Sequence, residues 1–200
     1  MMKNEYSDFY GIYTELINNS EKEIMKKLHE IINELTNDPE NNPAEHILSR
    51  IKRPDSLCEK LKKDGLPETP ETAIKNISDI IGIRIVTHFV GDVYKISRKI
   101  EECSYWKIIK KKDYIEAPKP NGYRSLHIII LPNDSDIRAE IQLRTIAMDC
   151  WASLEHQMKY KKNIGKNTEL IVSELKRCAD EIASTDLSMQ TLREMIEKDR

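Results

Sequence analysis

Two acidic residues in the middle of the chain have the chemistry of a metal site. Asp79 lies in the segment SDIIGIR, five residues before Arg84, and Glu140 lies in the segment RAEIQLR. Mg²⁺ commonly binds one or two carboxylates and completes its coordination with water and substrate phosphate. The two carboxylates therefore predict a magnesium site, provided that the fold brings them together. An aspartate at a strand entry and a glutamate paired with Arg144 would give the same sequence pattern, and the residues alone favour neither interpretation.

A group of basic residues upstream could supply charge for binding phosphate. In the segment SRIKRPDSLCEKLKKDG, Arg50 and Lys52 lie at the end of a predicted strand, and a helix opens at Pro54. Ser56 and Lys60 are four residues apart, so they share one face of that helix, whose N-terminus favours anions. Neither GxxxxGK[ST] nor GxGxxG occurs, so any phosphate site is of a different kind from a P-loop or a kinase loop.

The loop PKPNGYRSLH, residues 118–127, is a third candidate. Its prolines fix the backbone, and its Asn-Gly pair accepts positive φ, so the loop should reverse the chain rigidly. Turning alone does not require the polar and aromatic side chains that arrive together here, which are Lys119, Tyr123, Arg124 and His127. We therefore interpret the loop as a binding site.

Hydrophobic periodicity predicts the elements that must position these residues. The predicted helices are 6–36 (or two helices with a break near Ser20), 54–63, 73–77, 93–102, 145–161 and 168–198, and the predicted strands are 46–52, 82–89, 105–109, 126–131 and 138–144. In strands 82–89 and 138–144, alternation places apolar side chains on one face and polar side chains on the other. These elements predict an α+β fold with a mixed sheet of four or five strands and long helices at both ends.

The charge of the chain is unevenly distributed. Residues 1–45 contain ten acids and four bases, and residues 168–200 contain eight acids and five bases. The middle of the chain keeps 16 acids and 23 bases, although the whole chain has a net charge of -2. This middle part should attract anions, and a solvated lysine-rich surface is the alternative interpretation.

Composition also limits the location and the redox chemistry of the protein. No apolar run approaches the roughly 18 residues that a membrane-spanning helix needs, and the N-terminus lacks the apolar run of a signal peptide. We therefore expect a cytoplasmic protein without a membrane partner. The four cysteines are widely spaced and form no CxxC pair, which argues against a zinc or redox site and predicts free, mostly buried thiols: Cys58, Cys103, Cys150 and Cys178.

Taken in order, these motifs resemble the synthetase domain of the RelA/SpoT family, which makes the stringent-response alarmone (p)ppGpp. The matching segments are R-x-K-x-x-x-S-x-x-K at 50–60, DIIGIR at 79–84, PKPNGYRSLH at 118–127 and EIQLRT at 140–145. The ending AMDCWASLEHQMKYK and the helical flanks resemble the small alarmone synthetases, which are stand-alone versions of that domain. The resemblance implies a nucleotidyltransferase-like fold that transfers pyrophosphate from ATP to the 3′-hydroxyl of GDP or GTP and releases AMP.

The resemblance also implies roles for individual residues. Arg50 and Arg84 would sandwich adenine, and the remaining ATP-binding residues would be Lys52, Ser56, Lys60 and Lys112. On the acceptor side, Tyr123 would stack on guanine, with further contacts from Lys119, Asn121, His127 and Asp149. Asp79 and Glu140 would bind Mg²⁺, and Glu140 would also accept the proton of the 3′-hydroxyl.

The resemblance implies one synthetase domain over residues 1–200, with an N-terminal helical region (1–42), a catalytic core (43–162) and a C-terminal helix (163–200). Heptad-like spacing relates Ile171, Leu175, Cys178, Ile182, Thr185, Met189, Leu192 and Ile196. The spacing alone is also compatible with packing on the chain's own sheet. Small alarmone synthetases form homotetramers through their terminal helices, so we expect a tetramer; a regulatory alarmone or single-stranded RNA is a further candidate ligand.

Several alternatives remain open at this level. A catalytically silent nucleotide- or RNA-binding module could use the same basic cleft, and toxic relatives modify adenine nucleotides or tRNA. The sequence does not choose among GMP, GDP and GTP as acceptor. Large family members carry a hydrolase domain marked by a His-Asp pair, and none of the five histidines here is followed by Asp, so product hydrolysis is not expected.

Overall fold

A five-stranded mixed sheet is the central element of the computed structural model, which describes residues 8–36, 42–160 and 168–199. The strands are β1 (Ala44–Ile51), β2 (Ile81–Thr87), β3 (Trp106–Asp113), β4 (Leu126–Pro132) and β5 (Ala139–Thr145). Their order in the sheet is β1-β2-β5-β4-β3. The β2 and β5 strands are parallel, and the other neighbouring pairs are antiparallel. The predicted α+β class is therefore confirmed.

Six helices surround the sheet in the described part of the chain. They are α1 (Tyr13–Leu35), α2 (Pro54–Lys63), α3 (Pro70–Asn76), α4 (Val90–Glu102), α5 (Ile146–Tyr160) and α6 (Thr168–Lys198). None of the described helices combines the length and the apolar character that crossing a membrane requires. The predicted helix ends at residues 6 and 161 lie outside the described residues.

Alternation along the central strands separates a core face from a polar face. On the core face, the fully buried side chains are Ile81, Ile83 and Ile85 of β2, Leu126, Ile128 and Ile130 of β4, and Ala139, Ile141 and Leu143 of β5. Burying each of the larger side chains contributes on the order of 2 kcal/mol, so this layer fixes the register of the three strands. The register in turn determines which polar side chains meet on the other face.

Some predicted boundaries differ from the structure. The α1 helix runs without interruption through Ser20, whose buried hydroxyl lies 3.0 Å from that of Ser135, and the break in the predicted helix 6–36 lies instead at residues 11–12, where Gly11 has a φ of +52°. The α3 helix begins three residues earlier than predicted, since the Thr69 hydroxyl accepts a hydrogen bond from the N–H of Thr72 and caps it. The β3 strand continues to Asp113, so the lysine run lies on the strand and not after it.

The prediction of buried thiols is partly wrong. All four cysteines are free, as predicted. However, Cys150 is exposed and the other three are only partly buried. The reason is their position on helix faces and helix ends, outside the isoleucine-rich layer that forms the core.

The α6 helix packs against the rest of the protein through one row of residues, and the C-terminal half of this row is polar. The row consists of Leu175, Ala179, Ile182, Asp186, Gln190 and Arg193. Gln190 accepts a hydrogen bond from the N–H of Gly91 at 3.0 Å, and Arg193 binds the buried Asp92 at 2.6 Å. The predicted apolar stripe lies partly beside this row: its first half is partly buried, whereas Met189, Leu192 and Ile196 are more than half exposed.

The buried carboxyl of Asp186 should make the stability of the packing between α6 and β5 depend on pH. Its carboxylate accepts a hydrogen bond from the Thr145 hydroxyl, and burial raises its pKa although that hydrogen bond opposes the shift. Because the folded pKa is raised, the stability that this group contributes is complete below its unfolded pKa, near 4, and is lost as the pH rises through the folded pKa.

We therefore expect Asp186→Asn, which keeps an oxygen to accept the Thr145 hydrogen bond, to raise the free energy of unfolding by about 1 kcal/mol at pH 7. The gain should shrink as the pH falls through the raised folded pKa of Asp186 and should be lost by about pH 4. Urea denaturation at several pH values measures both effects. Asp134→Asn, on an exposed loop, is the control. A gain that does not change with pH would contradict the prediction.

Candidate functional site

The polar face of the sheet assembles two neighbouring rows of side chains. Each row consists of residues that are partners across neighbouring strands. The first row is Arg50, Gly82, Glu140 and Ile129, and the second is Leu48, Arg84, Gln142, His127 and Lys112. Most of these residues are far apart in the sequence and meet only because β5 inserts between β2 and β4. The structure thus brings the predicted Arg50, Arg84, Glu140 and His127 onto one surface.

Asp79 lies in the turn before β2 and binds two of the predicted phosphate ligands. The ammonium of Lys52 is 2.7 Å from one of its oxygens, and the ammonium of Lys60 is 2.9 Å from the other. The backbone N–H of Lys52 donates to the carbonyl of Ile80, which holds the end of β1 beside this turn. Burial works against ionisation of Asp79, but the hydrogen bonds and charges of the two lysines outweigh it and lower the pKa. The carboxylate is therefore ionised at neutral pH.

Glu140 is held by both of its oxygens. His127 Nδ1 lies 3.1 Å from Oε1, and the Gln142 amide donates to Oε2 at 2.8 Å. Burial alone would raise the pKa of Glu140, but these two partners lower it, while the charge of Asp79 opposes them. The alternative in which Glu140 pairs with Arg144 is wrong, because Glu140 binds His127 and Gln142 instead. Glu140 pairs in the sheet with Gly82, three residues after Asp79, so both carboxylates lie at the same end of the β2–β5 pair.

Two chains of hydrogen bonds connect Arg144 to Glu140, one through Tyr123 and His127 and the other through Gln142. Its NH2 donates to the Tyr123 hydroxyl and, at 2.9 Å, to the Gln142 carbonyl oxygen. The Tyr123 hydroxyl lies 2.8 Å from His127 Nε2. Since the ionised Glu140 can only accept, His127 donates from Nδ1; in the neutral imidazole, Nε2 then accepts from Tyr123. The five side chains form a closed ring in which the hydrogen-bond requirements of every link are satisfied.

Asp149 joins this ring to the arginine of β2. Both Arg84 and Arg144 contact the same oxygen of Asp149, Oδ1, at 3.1 Å. Burial and the charge of Arg144 lower the pKa of Arg84, and the charge of Asp149 opposes that shift. The Nε of Arg84 is buried and has no hydrogen-bond partner among the residues that the structure describes.

The loop at 118–127 is a turn that holds Tyr123 against the sheet. The N–H of Gly122 donates to the carbonyl of Lys119 at 2.8 Å, so Pro120 and Asn121 occupy the two central positions of the turn. Gly122 has a φ of +90°, whereas no other type of residue in the described segments has a positive φ, so the expectation of positive φ holds for the glycine alone. The side chain of Asn121 accepts from the N–H of Tyr123 and donates to Glu155.

An aromatic cluster surrounds the end of this loop. Tyr114 contacts Tyr123 and His127 edge-on, with centroid distances of 6.1 Å and 5.2 Å. The Lys119 ammonium lies 4.7 Å from the ring centroids of both tyrosines. Flat rings and a cation at one loop can bind an aromatic base and an attached anion.

Three predicted residues lie at the margin of the site. Arg50 is exposed, and its side chain crosses Gly82, where a Cβ would be 3.6 Å from its Cγ. Ser56 lies exposed in the first turn of α2, which has no side-chain cap, so that turn keeps N–H groups for an anion. Lys112 is exposed on β3 opposite His127.

Sequence analysis assigned no role to several residues of this site. Gln142 and Arg144 follow Glu140 at every second position, so the alternation that placed them on the polar face was the available signal. Tyr114 carries no such signal, because it reaches the loop only through the pairing of β3 with β4.

The two carboxylates fit a divalent metal of the Mg²⁺ type. Within residues 8–36, 42–160 and 168–199, no group of three or more His, Cys, Asp or Glu side chains is placed to hold a metal. A site that depends on protein ligands alone is therefore not supported there. Mg²⁺ needs only one or two carboxylates when phosphate and water complete its coordination.

Comparison with known proteins shows the family of the chain. A family profile described as "Region found in RelA / SpoT proteins" matches residues 49–165. The chain is 44% identical to GTP pyrophosphokinase YwaC of Bacillus subtilis over 146 residues, 70% of this chain and 69% of that protein. It is 29% identical to GTP pyrophosphokinase YjbM of the same organism over 160 residues, 77% of this chain and 74% of that protein.

Solved structures show the same likeness. The small alarmone synthetase 1 of Bacillus subtilis bound to its product pppGpp superposes with a TM-score of 0.80 at 27% identity, covering 90% of this chain and 94% of that chain. The small alarmone synthetase 2 of Bacillus subtilis gives a TM-score of 0.78 at 36% identity, covering 90% and 95%.

The ring predicts that Arg144 is required for stability. Arg144→Met removes a buried guanidinium and takes a hydrogen-bond donor from Tyr123, Gln142 and Ser125, so we expect the free energy of unfolding to fall by about 3 kcal/mol. Arg138→Met is the matched control, since Arg138 directly precedes β5 but is less buried and has no ion pair in the described segments. Urea denaturation at pH 7 should separate the two variants, and equal losses would contradict the prediction.

Proposed function

The chain belongs to the RelA/SpoT family, and we propose that it is a stand-alone GTP pyrophosphokinase, a small alarmone synthetase that makes (p)ppGpp from ATP and GDP or GTP. The observation that carries this proposal is that neighbouring strands bring two ionised carboxylates with different partners to one site. Asp79, in the turn before β2, binds Lys52 and Lys60, whereas Glu140, on β5, is joined through His127 to Tyr123 of the loop.

On the donor side, we assign ATP to the surface between β1, β2 and α2. Arg50 and Arg84 would stack on the two faces of adenine, a contact that suits planar guanidinium groups. Lys52, Lys60 and the N-terminal turn of α2 at Ser56 would bind the phosphates. Exposed Lys112, across the sheet, would add positive charge for the transferred group.

Asp79 and Glu140 would together hold Mg²⁺. When bound, this ion would neutralise charge that develops on the transferred phosphates. In the structure, the ammonium groups of Lys52 and Lys60 bind the Asp79 carboxylate. Binding of the nucleotide would therefore redirect the two ammonium groups from the carboxylate to phosphate oxygens.

On the acceptor side, the Tyr123 ring would stack on guanine, a contact worth about 1–3 kcal/mol by analogy with nucleic-acid platforms. Lys119 would move from the tyrosine faces to the acceptor phosphates, and His127 would stay beside them. Asp149 contacts both arginines through Oδ1, so its Oδ2 would be the acceptor for the guanine N–H groups. Asn121 would keep the loop in shape.

In the reaction, the 3′-oxygen of the acceptor forms a bond to the β-phosphorus of ATP, and the bond from that phosphorus to the α-phosphate bridging oxygen breaks, releasing AMP. Glu140 would accept the proton of the 3′-hydroxyl. Its lowered pKa keeps it ionised for this task, and the two bonds from His127 and Gln142 hold it in one orientation. Arg144 would act through these two residues as a positioning residue.

The exposed apolar residues of α6 support assembly of the chain into a homotetramer through its terminal helices. Leu187, Met189, Leu192, Met195 and Ile196 are all more than half exposed. Such residues on one helix mark a surface for another chain. A regulatory alarmone or single-stranded RNA would then be a candidate ligand between subunits.

Incubation with Mg-ATP tests the function directly. We expect transfer to GDP or GTP with release of AMP, and no comparable transfer to ADP or tRNA, when products are separated by anion exchange with GMP, GDP, GTP, ADP and tRNA as acceptors. Glu140→Gln should lower turnover at least ~10²-fold, since the base is lost while the shape is kept.

The control for this variant is Glu59→Gln, an exposed glutamate of α2. Circular dichroism should show that both variants are folded. Absence of a pyrophosphorylated guanine nucleotide with the unsubstituted chain would refute the function, whereas near-normal turnover of Glu140→Gln would refute only the role of that residue.

Light scattering tests the assembly. We expect a mass near four times the 23.3 kDa of one chain at micromolar concentration. The double variant Leu192→Glu with Ile196→Glu, which charges two exposed positions of α6, should lower that mass. A one-chain mass for the unsubstituted protein would exclude the tetramer and would leave the active-site assignment in place.

A further inference from the structure

The C-terminal helix touches the loop that we assign to the acceptor. Gly122 approaches α6 so closely that a Cβ at this position would lie 2.5 Å from the Cβ of Ala179 and 3.2 Å from the Cα of Lys176. A side chain on Gly122 would therefore collide with the helix, apart from the strain of its positive φ. The contact requires a glycine in the loop and a small residue on the helix.

Arg124 makes a second, polar contact between the same two segments. Its NH1 donates to the carbonyl of Gly122 at 3.2 Å and to the carbonyl of Ala179 at 3.3 Å. Its NH2 donates to Asp180 at 3.0 Å, and the other oxygen of Asp180 is bound by Lys176. One guanidinium thus joins the backbone of the loop to the backbone and a side chain of α6.

Neighbouring side chains of the loop point in different directions, some to the helices and one to the sheet. Asn121 and Arg124 point to the helices, where they meet Glu155 of α5 and Asp180 of α6. Tyr123, which lies between them, points to the sheet and meets His127 and Arg144. Holding the neighbours on the helices therefore fixes the orientation of the Tyr123 ring.

We propose that α6 is part of the acceptor site, with Arg124 as a positioning residue that clamps the loop to Ala179 and Asp180. The proposal rests on the proposed function, since it takes a guanine nucleotide as the ligand of the loop. The clamp orders the loop before the nucleotide arrives, so the nucleotide does not lose binding free energy to ordering it.

Kinetics of substituted chains test the clamp. Arg124→Ala should raise the KM for the acceptor about tenfold, because ordering even one backbone residue costs a free energy of that size. The KM for ATP should stay within about twofold, because ATP binds at β1 and β2. Asp180→Ala should act in the same direction but more weakly, since Arg124 keeps its bond to the Ala179 carbonyl.

A substitution on α6 tests the same contact without changing Arg124. Ala179→Leu keeps Arg124 and Asp180 but places a larger side chain where Gly122 lies, so it should also raise the acceptor KM selectively. Arg177→Ala is the matched control: it lies on α6, and its ion pairs are with Glu174 and Glu181 of the same helix. We expect both of its KM values to match those of the unsubstituted chain.

Hydrogen exchange of the free protein gives a readout that does not depend on activity. Exchange of the Gly122 and Tyr123 amides should be faster in Arg124→Ala than in Arg177→Ala. Unchanged exchange and an unchanged acceptor KM, or equal changes in the KM of both substrates, would overturn the clamp. Asp180 is nearly half exposed, so Asp180→Ala should fold even where another variant does not. Failure of the unsubstituted chain to transfer pyrophosphate would overturn the proposed function instead.

Discussion

The site depends on keeping two carboxylates ionised on a partly buried surface. Burial alone would favour the neutral form of Asp79 and Glu140, and their proximity adds repulsion. The structure resolves the conflict differently for each: two ammonium groups bind Asp79, whereas hydrogen bonds from a histidine and an amide bind Glu140. The lysine ammonium groups end long side chains with several rotatable bonds, so a bound polyphosphate would compete with Asp79 for them. The partners of Glu140 are fixed, which suits a group that must stay in place.

Arg144 carries that fixed arrangement because it is the one buried cation that touches Tyr123, Gln142 and Asp149 together among the described residues. A guanidinium can do this with its fork of donors, and an ammonium could not reach three partners in one plane. Tyr123 and Glu140 therefore share one support, and His127 joins them directly. Under the proposed roles, binding of the acceptor at Tyr123 and the orientation of the base Glu140 would be physically coupled.

The sequence predicted the parts of this site that regular geometry determines. Alternation along β2 and β5 correctly placed Arg84, Glu140 and Arg144 on one polar face. The strand order, and with it the contact of His127 with Glu140, follows from β5 lying between β2 and β4, which no local pattern encodes. The ring was missed for the same reason, since its links join residues from a loop and two strands. Arg124 stood out in the loop, but its partner lies 56 positions later.

The C-terminal helix shows why an apolar pattern can mislead. Heptad spacing selected Thr185, Met189 and Leu192, but in this half of the helix the residues that dock are their successors, Asp186, Gln190 and Arg193. Polar docking fixes the helix by specific bonds and leaves its apolar residues outside. A helix that packed its own apolar stripe inward would have no comparable surface left for another chain. The same helix can therefore hold the acceptor loop through one face and offer the other to a neighbouring subunit, so assembly and acceptor binding would be linked through α6.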